Sequence, residues 1–193
     1  MFATRLHGRG GQGVVTAAEL LSVAGFLDGR QAQAIPSFGS ERMGAPVVSY
    51  CRIDDRPIRV REPIAEPDAV IVVDATLLHH VDLFAGLSER GFVLLNSTYQ
   101  PAELGLSDLL DGFPQRRIVA VPASDLAREH LGRPLPNVAL LGAFAALTGI
   151  VSVAAVEAAV RERFPGPLAE ANLAAAHAAY AEVAIEIGSV RSA

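Results

Sequence analysis

Apolar and polar positions along the chain alternate between two kinds of run. Short runs are apolar almost throughout, whereas longer runs place apolar residues on most turns of a helix. The short runs predict strands and the long runs predict helices. Residues 69–74 give the clearest buried parallel strand, because both faces of that run are apolar. The pattern predicts strands at 2–7, 31–35, 47–53, 57–61, 69–74, 92–96 and 118–122, with a hairpin turn at 54–56.

The last third of the chain follows a different pattern, dominated by alanine. Gly149 and Pro165-Gly166 divide it into three predicted helices. The three predicted helices are 138–148, 153–164 and 168–187, and one further helix is predicted near the start of the chain at 14–28. Alanine at this density lets helices approach each other, or a partner chain, closely. We therefore predict one doubly wound, Rossmann-like α/β domain over residues 1–193, with a mostly parallel sheet and a C-terminal helical layer.

Hydrophobic residues make up 51% of the chain, and the mean hydropathy is +0.33. A solitary domain needs a more polar surface, so either a membrane or partner chains must cover much of this one. The chain has no run of roughly 18 consecutive apolar residues, the length that a membrane-spanning helix requires. Residues 1–5 lead directly into a predicted strand without the apolar segment of a signal peptide. We expect a cytoplasmic subunit with large interfaces.

Charge and cysteine content remove several classes of function. The net charge of −5 argues against a general nucleic-acid-binding protein. All 16 cationic residues are arginine, so the chain offers no lysine for a Schiff base or a P-loop. Cys51 is the only cysteine, and it cannot by itself build a disulfide, a cysteine zinc site or an iron–sulfur cluster. Any redox metal is therefore expected on another chain, and Cys51 is expected in the core.

A glycine-rich loop follows the first predicted strand and precedes the first predicted helix. Gly8, Gly10 and Gly13 have the G-x-G-x-x-G spacing, and Gly11 adds conformational freedom. In this setting backbone N–H groups can bind a phosphate, which the helix dipole also attracts. The alternative is a tight packing turn between strand and helix that binds no ligand.

The identity of a phosphorylated ligand depends on the residues that follow. A dinucleotide site requires an acidic residue about 20 positions later, at the end of the second strand. Asp28 falls near that distance, but it ends the predicted helix, and no acid stands between Ile35 and Phe38. NAD binding is therefore disfavoured. Val14 occupies the position of the P-loop lysine, which excludes that motif.

Five segments in order resemble the gamma subunit, or gamma domain, of the pyruvate and related 2-oxoacid:ferredoxin (acceptor) oxidoreductase family. The first is the glycine loop with the residues after it, and the second includes Ser40, Glu41 and Arg42. The full set is 8–18, 36–45, 67–68, 136–143 and 170–172. These segments span nearly the whole chain, which makes the resemblance specific.

The resemblance implies a complex that oxidatively decarboxylates a 2-oxoacid and captures the product with coenzyme A as an acyl-CoA. Thiamine diphosphate with Mg²⁺ and the iron–sulfur clusters would belong to partners, namely alpha and beta subunits and an iron–sulfur subunit. Electrons would pass through those partners to ferredoxin or another acceptor. This chain would help to place coenzyme A and would be inactive alone.

The resemblance also suggests roles for individual residues. The N–H groups of the loop would meet the coenzyme A diphosphate; they belong to Gly10, Gly11, Gln12 and Gly13. Ser40 and Glu41 would face the thiamine site. Arg42 would bind a phosphate, or alternatively form a salt bridge with Glu41 and a neighbouring subunit.

Two other functions stay open from the sequence. The chain could be a structural subunit whose glycine loop is empty, or an NAD-dependent dehydrogenase. Asp74 and Thr76 are minor candidates for polar ligand contacts, because they follow a strand at its carboxyl end. His79-His80 is expected to be a solvated pair and not a metal site.

Overall fold

A six-stranded sheet organises the computed structural model, which describes residues 1–36, 43–112, 114 and 117–189. The strands are β1 Phe2–Arg9, β2 Gln31–Pro36, β3 Pro46–Asp54, β4 Ala69–Val72, β5 Phe92–Asn96 and β6 Ile118–Val121. The helices are α1 Val14–Leu27, α2 Ser107–Gly112, α3 Ala123–Leu131, α4 Asn137–Thr148, α5 Val153–Arg163 and α6 Gly166–Ser189. A short 3-10 helix, Ala75–His79, follows β4.

The strand order is β2-β3-β1-β4-β5-β6. Strands β1, β4, β5 and β6 are parallel, whereas β3 runs antiparallel to both β1 and β2. The predicted α/β fold with a mostly parallel sheet is confirmed. The parallel strands bring their carboxyl ends to one edge of the sheet, where the glycine loop leaves β1.

The predicted hairpin at 54–56 is wrong, because 57–61 forms no strand. Both edges of β3 are already hydrogen-bonded, one to β1 and the other to β2, so a strand following β3 has no free edge there. The chain instead turns back beside the sheet, where the Arg52 guanidinium donates to the Glu62 carbonyl at 2.6 Å. The other six predicted strands are confirmed to within a few residues at their ends.

The two faces of the sheet are covered differently. One face packs against α1, α4 and α6 in the larger apolar core, which includes the fully buried Phe144 and Leu173. The opposite face packs against the 3-10 helix, α2 and the loops between them, around Leu77 and Leu83. The predicted C-terminal helical layer is confirmed. None of the helices described is long and apolar enough to cross a membrane.

The alanine-rich helices approach each other as closely as their sequence suggests. A Cβ added to Gly142 in α4 would lie 2.0 Å from the Ala176 carbonyl oxygen of α6, so only glycine fits. This contact fixes α4 against α6, and the N-terminus of α4 then lies beside the N-terminus of α1. The edge of the sheet that carries the glycine loop therefore receives the first turns of two helices.

Candidate anion-binding cleft

The glycine loop is held by backbone hydrogen bonds to the segment before β3. The Gly10 N–H donates to the Ala45 carbonyl at 2.9 Å, and the Gly10 carbonyl accepts from Gly44 at 3.1 Å. The Gln12 N–H donates to the Arg9 carbonyl at 3.1 Å. The N–H groups of Gly11 and Gly13 have no acceptor among the described residues. Of the four amides expected to meet a phosphate, these two are free to do so without breaking a bond.

Two of the glycines are required by close packing. A Cβ on Gly8 would lie 2.6 Å from Val14 Cγ2 and 3.0 Å from Val73 Cβ, so Gly8 seats β1 against α1 and β4. Gly13 has φ +74° and precedes α1, and a Cβ there would lie 2.5 Å from Asn137 Nδ2. Gly13 therefore allows the first turns of α1 and α4 to touch.

A cleft of about 330 Å³ opens where these two helices meet. Gly10, Gly11 and Gly13 line it on the loop side, and Val15 and Thr16 of α1 form its next wall. Neither α1 nor α4 has a side-chain cap or an acidic residue in its first turn. Their unpaired N–H groups and positive dipole ends therefore face one small volume.

The charged side chains that line the cleft have one sign. They are Arg9 and Arg163, and none of the described lining residues is acidic. Asn137 lies at its floor, only 2% exposed, and its Oδ1 receives no hydrogen bond from a described residue. A buried polar atom left without a partner costs roughly 1–3 kcal/mol, which a polar ligand can offset. The arrangement is suited to binding an anion.

A polar network orients Arg9 at the cleft edge. Arg9 Nη2 donates to Thr76 Oγ1 at 2.9 Å, Nη1 donates to the Gly44 carbonyl at 3.0 Å, and Nε lies 3.3 Å from Asp74 Oδ2. The Gln12 side chain accepts from the Arg9 N–H and donates to Asp74, each at 2.7 Å. Gln12 therefore ties the end of β1 to the end of β4 and is not turned into the cleft.

Asp74 is held as a carboxylate by this network. Burial alone would raise its pKa, but hydrogen bonds from Thr76 and Gln12 and the charge of Arg9 together hold the pKa below its usual range. Asp74 and Thr76, the minor candidates for ligand contacts, hold Arg9 in position at the cleft edge. The charge of Arg9 is partly balanced by Asp74, whereas Arg163 has no such partner among the described residues.

The structure places the predicted site residues in three groups. Gly10, Gly11 and Gly13 line the cleft. Gly8 and Gln12 do not line it: Gly8 packs against α1, and Gln12 is hydrogen-bonded to Asp74. Ser40, Glu41 and Arg42 lie outside the described residues. Three polar residues that line the cleft were not predicted from the sequence to belong to this site: Arg9, Asn137 and Arg163. Arg9 could have been selected, because it is the only charged residue within the loop.

Asp28, the one acid near the spacing of a dinucleotide site, is engaged elsewhere. Its carboxylate accepts from the Ser152 N–H at 2.6 Å and from Ser152 Oγ at 2.7 Å, and it thereby joins the end of α1 to the start of α5. It stands at the far end of α1 from the glycine loop, so it is not placed to bind a ribose in the cleft.

The remaining candidates have ordinary surroundings. His79 and His80 are exposed, and no three His, Cys, Asp or Glu side chains of the described residues converge as metal ligands. Cys51 is buried as expected, and its burial raises the pKa of the thiol to about 12, so it stays protonated.

These features define an α/β protein with a candidate anion-binding cleft at the carboxyl edge of its sheet, formed by a glycine loop and two helix N-termini. Comparison with known proteins then gives the family. The chain belongs to the pyruvate ferredoxin/flavodoxin oxidoreductase family, whose profile matches residues 3–182. Within that family it is a gamma-type subunit of a 2-oxoacid:ferredoxin oxidoreductase complex, as the resemblance predicted.

The relatives agree over nearly the full length. The common gamma subunit of the pyruvate/ketoisovalerate oxidoreductases of Pyrococcus furiosus is 44% identical over 182 residues, which cover 93% of this chain and 96% of that subunit. The crystal structure of the pyruvate oxidoreductase subunit PORC of Thermotoga maritima is 33% identical, with a TM-score of 0.78, over 93% of this chain and 95% of that one.

A larger protein contains the same fold. The 2-oxoglutarate:ferredoxin oxidoreductase of Magnetococcus marinus, solved with 2-oxoglutarate, coenzyme A and succinyl-CoA bound, matches with a TM-score of 0.70. The match covers 96% of this chain but only 31% of that one, at 16% identity. This similarity concerns the fold alone.

Proposed function

We propose that this chain helps a thiamine diphosphate-dependent complex to oxidise a 2-oxoacid to an acyl-CoA, and that its cleft holds the diphosphate of coenzyme A. The observation that carries the proposal is electrostatic. Two uncapped helix N-termini and two arginines meet in one cleft whose described lining includes no acid. Such a site favours a multiply charged anion over a neutral ligand. Coenzyme A is the first ligand to test, because the 2-oxoglutarate enzyme with this fold was solved with it.

The 2-oxoacid is proposed to bind on the thiamine-carrying partners. The Pyrococcus furiosus relative is named as a gamma subunit common to a pyruvate and a ketoisovalerate oxidoreductase. A subunit shared by enzymes with different 2-oxoacids is not suited to selecting between them, whereas coenzyme A is the same for both. The cleft would therefore serve the shared substrate.

The redox groups are likewise proposed to belong to partner subunits. Thiamine diphosphate with Mg²⁺ would supply the carbanion chemistry, and iron–sulfur clusters would remove electrons toward ferredoxin or another acceptor. The one cysteine here is buried, and burial raises its pKa to about 12, which does not suit a thiolate ligand. This chain's own role would be to bind, orient and help enclose coenzyme A.

A Thr16→Glu substitution tests the cleft without disturbing the fold. Thr16 lines the cleft in the first turn of α1, where an acidic side chain is favoured by the helix dipole and can cap free N–H groups. The new carboxylate would occupy the anion position and repel a diphosphate. In the assembled complex we expect the KM for coenzyme A to rise at least about tenfold, while kcat at saturating coenzyme A changes little.

Thr16→Gln is the matched control, because it has the same length and no charge. It should leave the KM within about twofold of the wild-type value, since a neutral side chain adds no repulsion. Equal KM values in wild type, Thr16→Glu and Thr16→Gln would instead favour a structural subunit with an empty loop. Tight NAD binding by the purified chain would favour the dehydrogenase, against which the position of Asp28 already argues.

A further inference from the structure

The two outer edges of the sheet are protected to different degrees. At one edge, three of the four residues of β6 are buried, and Pro122 follows the strand directly. At the other edge, no residue of β2 is fully buried, and none of the described strands pairs with its outer side. Natural proteins protect such an edge with charged side chains, a bulge or a cover. Residues 31–36 carry no charge, so β2 presents an edge with which another strand can pair.

Helix α1 lies above this edge with an apolar side chain exposed. A Cβ added to Gly25 would lie 3.1 Å from Ile53 of β3 and 3.3 Å from Ala32 of β2, so α1 is seated between the two outermost strands. Helix α5 covers one flank of α1, where Leu20 lines a groove shared by both helices. The helical repeat places Phe26 on the other flank, and 69% of it is exposed. The uncovered flank of α1 and the unpaired edge of β2 therefore form one continuous surface.

We infer that two copies of this chain pair edge to edge through β2, in the antiparallel sense, about a two-fold axis at Gln33. The two six-stranded sheets would then form one continuous sheet, with one α1 on each side of the axis. Neighbouring strands lie about 4.8 Å apart, so the midline between β2 and β3 is about 4.8 Å from the axis. The two α1 helices would therefore lie about 10 Å apart, which is a packing distance of helices in direct contact. The spacing of the strands thus suits the packing of the helices.

The register of the pairing follows from Gln33. Two identical antiparallel strands with continuous faces align residues of the same face, so an axis near the middle of β2 passes through residue 33 or 34. Gln33 Oε1 is buried and receives no hydrogen bond from a described residue. An axis at Gln33 places the two Gln33 side chains opposite each other, so each carboxamide can donate to the other's Oε1. An axis at Ala34 would place Gln33 opposite Ile35 and leave that acceptor unpaired.

The same axis brings the two helices together at a small residue. Helix α1 runs antiparallel to β2, and the contact between Gly25 and Ala32 sets their relative height. One further strand residue, about 3.3 Å, equals about two helix residues, so the axis passes α1 near Ser22. Ser22 permits a close crossing, and Phe26, one turn further on, covers the helix of the second copy. Glu19, the one charged residue of α1, lies on the other side of the crossing, so the two Glu19 side chains do not face each other.

The oligomeric state of the full chain tests this surface. Sedimentation velocity over a range of concentrations should give a dimer for the wild-type chain. Phe26→Glu should raise the dimer dissociation constant by at least about tenfold, because the two-fold axis brings two carboxylates into the interface at once. Ile185→Glu is the matched control: Ile185 is 71% exposed, nearly the same as Phe26, but it lies on α6, which packs against α3, α4 and α5. It should leave the dissociation constant within about twofold of the wild-type value.

Gln33→Cys tests the axis and the register. Residues directly opposite each other in an antiparallel pair have Cα atoms about 4.5–5.5 Å apart, which is within the range of a disulfide. Oxidation with diamide should therefore link two chains of this variant into a covalent dimer on a non-reducing gel. Ala34→Cys is the control and should stay unlinked, because in this register Ala34 is opposite Ala32. The native Cys51 does not compete, since it is buried and its burial raises the thiol pKa to about 12.

Three results would overturn the pairing through β2. A wild-type chain that stays monomeric at every concentration lacks the contact. A dimer that survives Phe26→Glu and leaves Gln33→Cys unlinked uses another surface. Protection of the β2 amides from hydrogen exchange in the assembled complex, but not in the full chain alone, would assign the edge to another subunit. None of these results bears on the cleft, which Thr16→Glu tests separately.

Discussion

Replacing Gly13 with alanine tests the contact that brings the first turns of α1 and α4 together. Two penalties are expected. The left-handed conformation at φ +74° costs an alanine about 1 kcal/mol relative to glycine. The new Cβ would also lie 2.5 Å from Asn137 Nδ2 and 2.9 Å from its Cγ, and such overpacking costs about 1–3 kcal/mol. The free energy of unfolding should therefore fall by about 2–4 kcal/mol.

Gly132→Ala separates the two penalties. Gly132 ends α3 with φ +73°, nearly the same as Gly13, but nothing lies within 4 Å of a Cβ there. It should lose about 1 kcal/mol, from the backbone conformation alone. The assay is urea unfolding of the purified chain followed by circular dichroism, and the difference between the two variants measures the contact with Asn137.

Asn137→Ala supplies a further check. It removes the two nearest atoms and leaves only Asn137 Cβ, at 3.2 Å from the added Cβ. The double variant Gly13→Ala/Asn137→Ala should therefore be more stable, by about 1–2 kcal/mol, than the sum of the two single changes predicts. If Gly13→Ala costs no more than Gly132→Ala, or if the double variant is strictly additive, the two helix N-termini do not meet as described.

Three other measurements test the fold and the network. Gly142→Ala should lower the free energy of unfolding by at least about 3 kcal/mol, because its Cβ would meet the Ala176 carbonyl. Gly188→Ala has open space around it and should raise the free energy of unfolding by about 0.5–1 kcal/mol. Equal effects of the two substitutions would refute the α4–α6 contact. Burial, aided by the charge of Arg5, lowers the pKa of His7 to about 4, so the unfolded chain binds a proton between pH 6.5 and 4 that the folded chain excludes. Stability should fall by up to about 3 kcal/mol as the pH drops through that window, and His7→Gln should flatten the fall; an unchanged slope would show that His7 is not its source. The lowered pKa of Asp74 contributes stability that is present above the pKa of the unfolded chain and is lost as the pH falls through the folded pKa. Asp74→Asn should therefore lose about 1 kcal/mol at pH 7 and show a shallower loss below about pH 4, and a parallel pH profile would contradict that role.

Periodicity predicted the elements well because each strand and helix is encoded locally. The Val- and Ile-rich run at 69–74 predicted a strand buried on both faces, and every residue of β4 is buried. The failure at 57–61 has a tertiary cause, since whether a run can pair depends on which strands already occupy the edges of β3. No local pattern reports that occupancy.

Only part of the cleft could be predicted, because its other residues are brought together by the tertiary structure and not by a local pattern. The glycine spacing located the loop, but Asn137 and Arg163 reach it from helices far along the chain, and their own neighbourhoods carry no ligand signal. The close contact at Gly142 seats α4 on α6 and so helps to place Asn137, whereas Arg163 stands at the end of α5, which packs against α1. From the sequence alone, Asn137 suggests only a helix cap or a packing residue, and the structure shows it packed on Gly13 just after the N-cap residue Pro136.

The structure also sharpens the choice between a bound and an empty glycine loop. Gly8 and Gln12 are explained by packing and by the tie between β1 and β4, so the motif could exist without a ligand. Packing does not explain why two helices begin at one cleft with no acidic residue in either first turn, or why Arg163 faces it unpaired by a described residue. Converging positive ends repel each other, and each unsatisfied N–H must find an acceptor in water or in a ligand. An anion removes the repulsion and supplies the acceptors at once, so the charge distribution, more than the glycine motif, supports a filled loop.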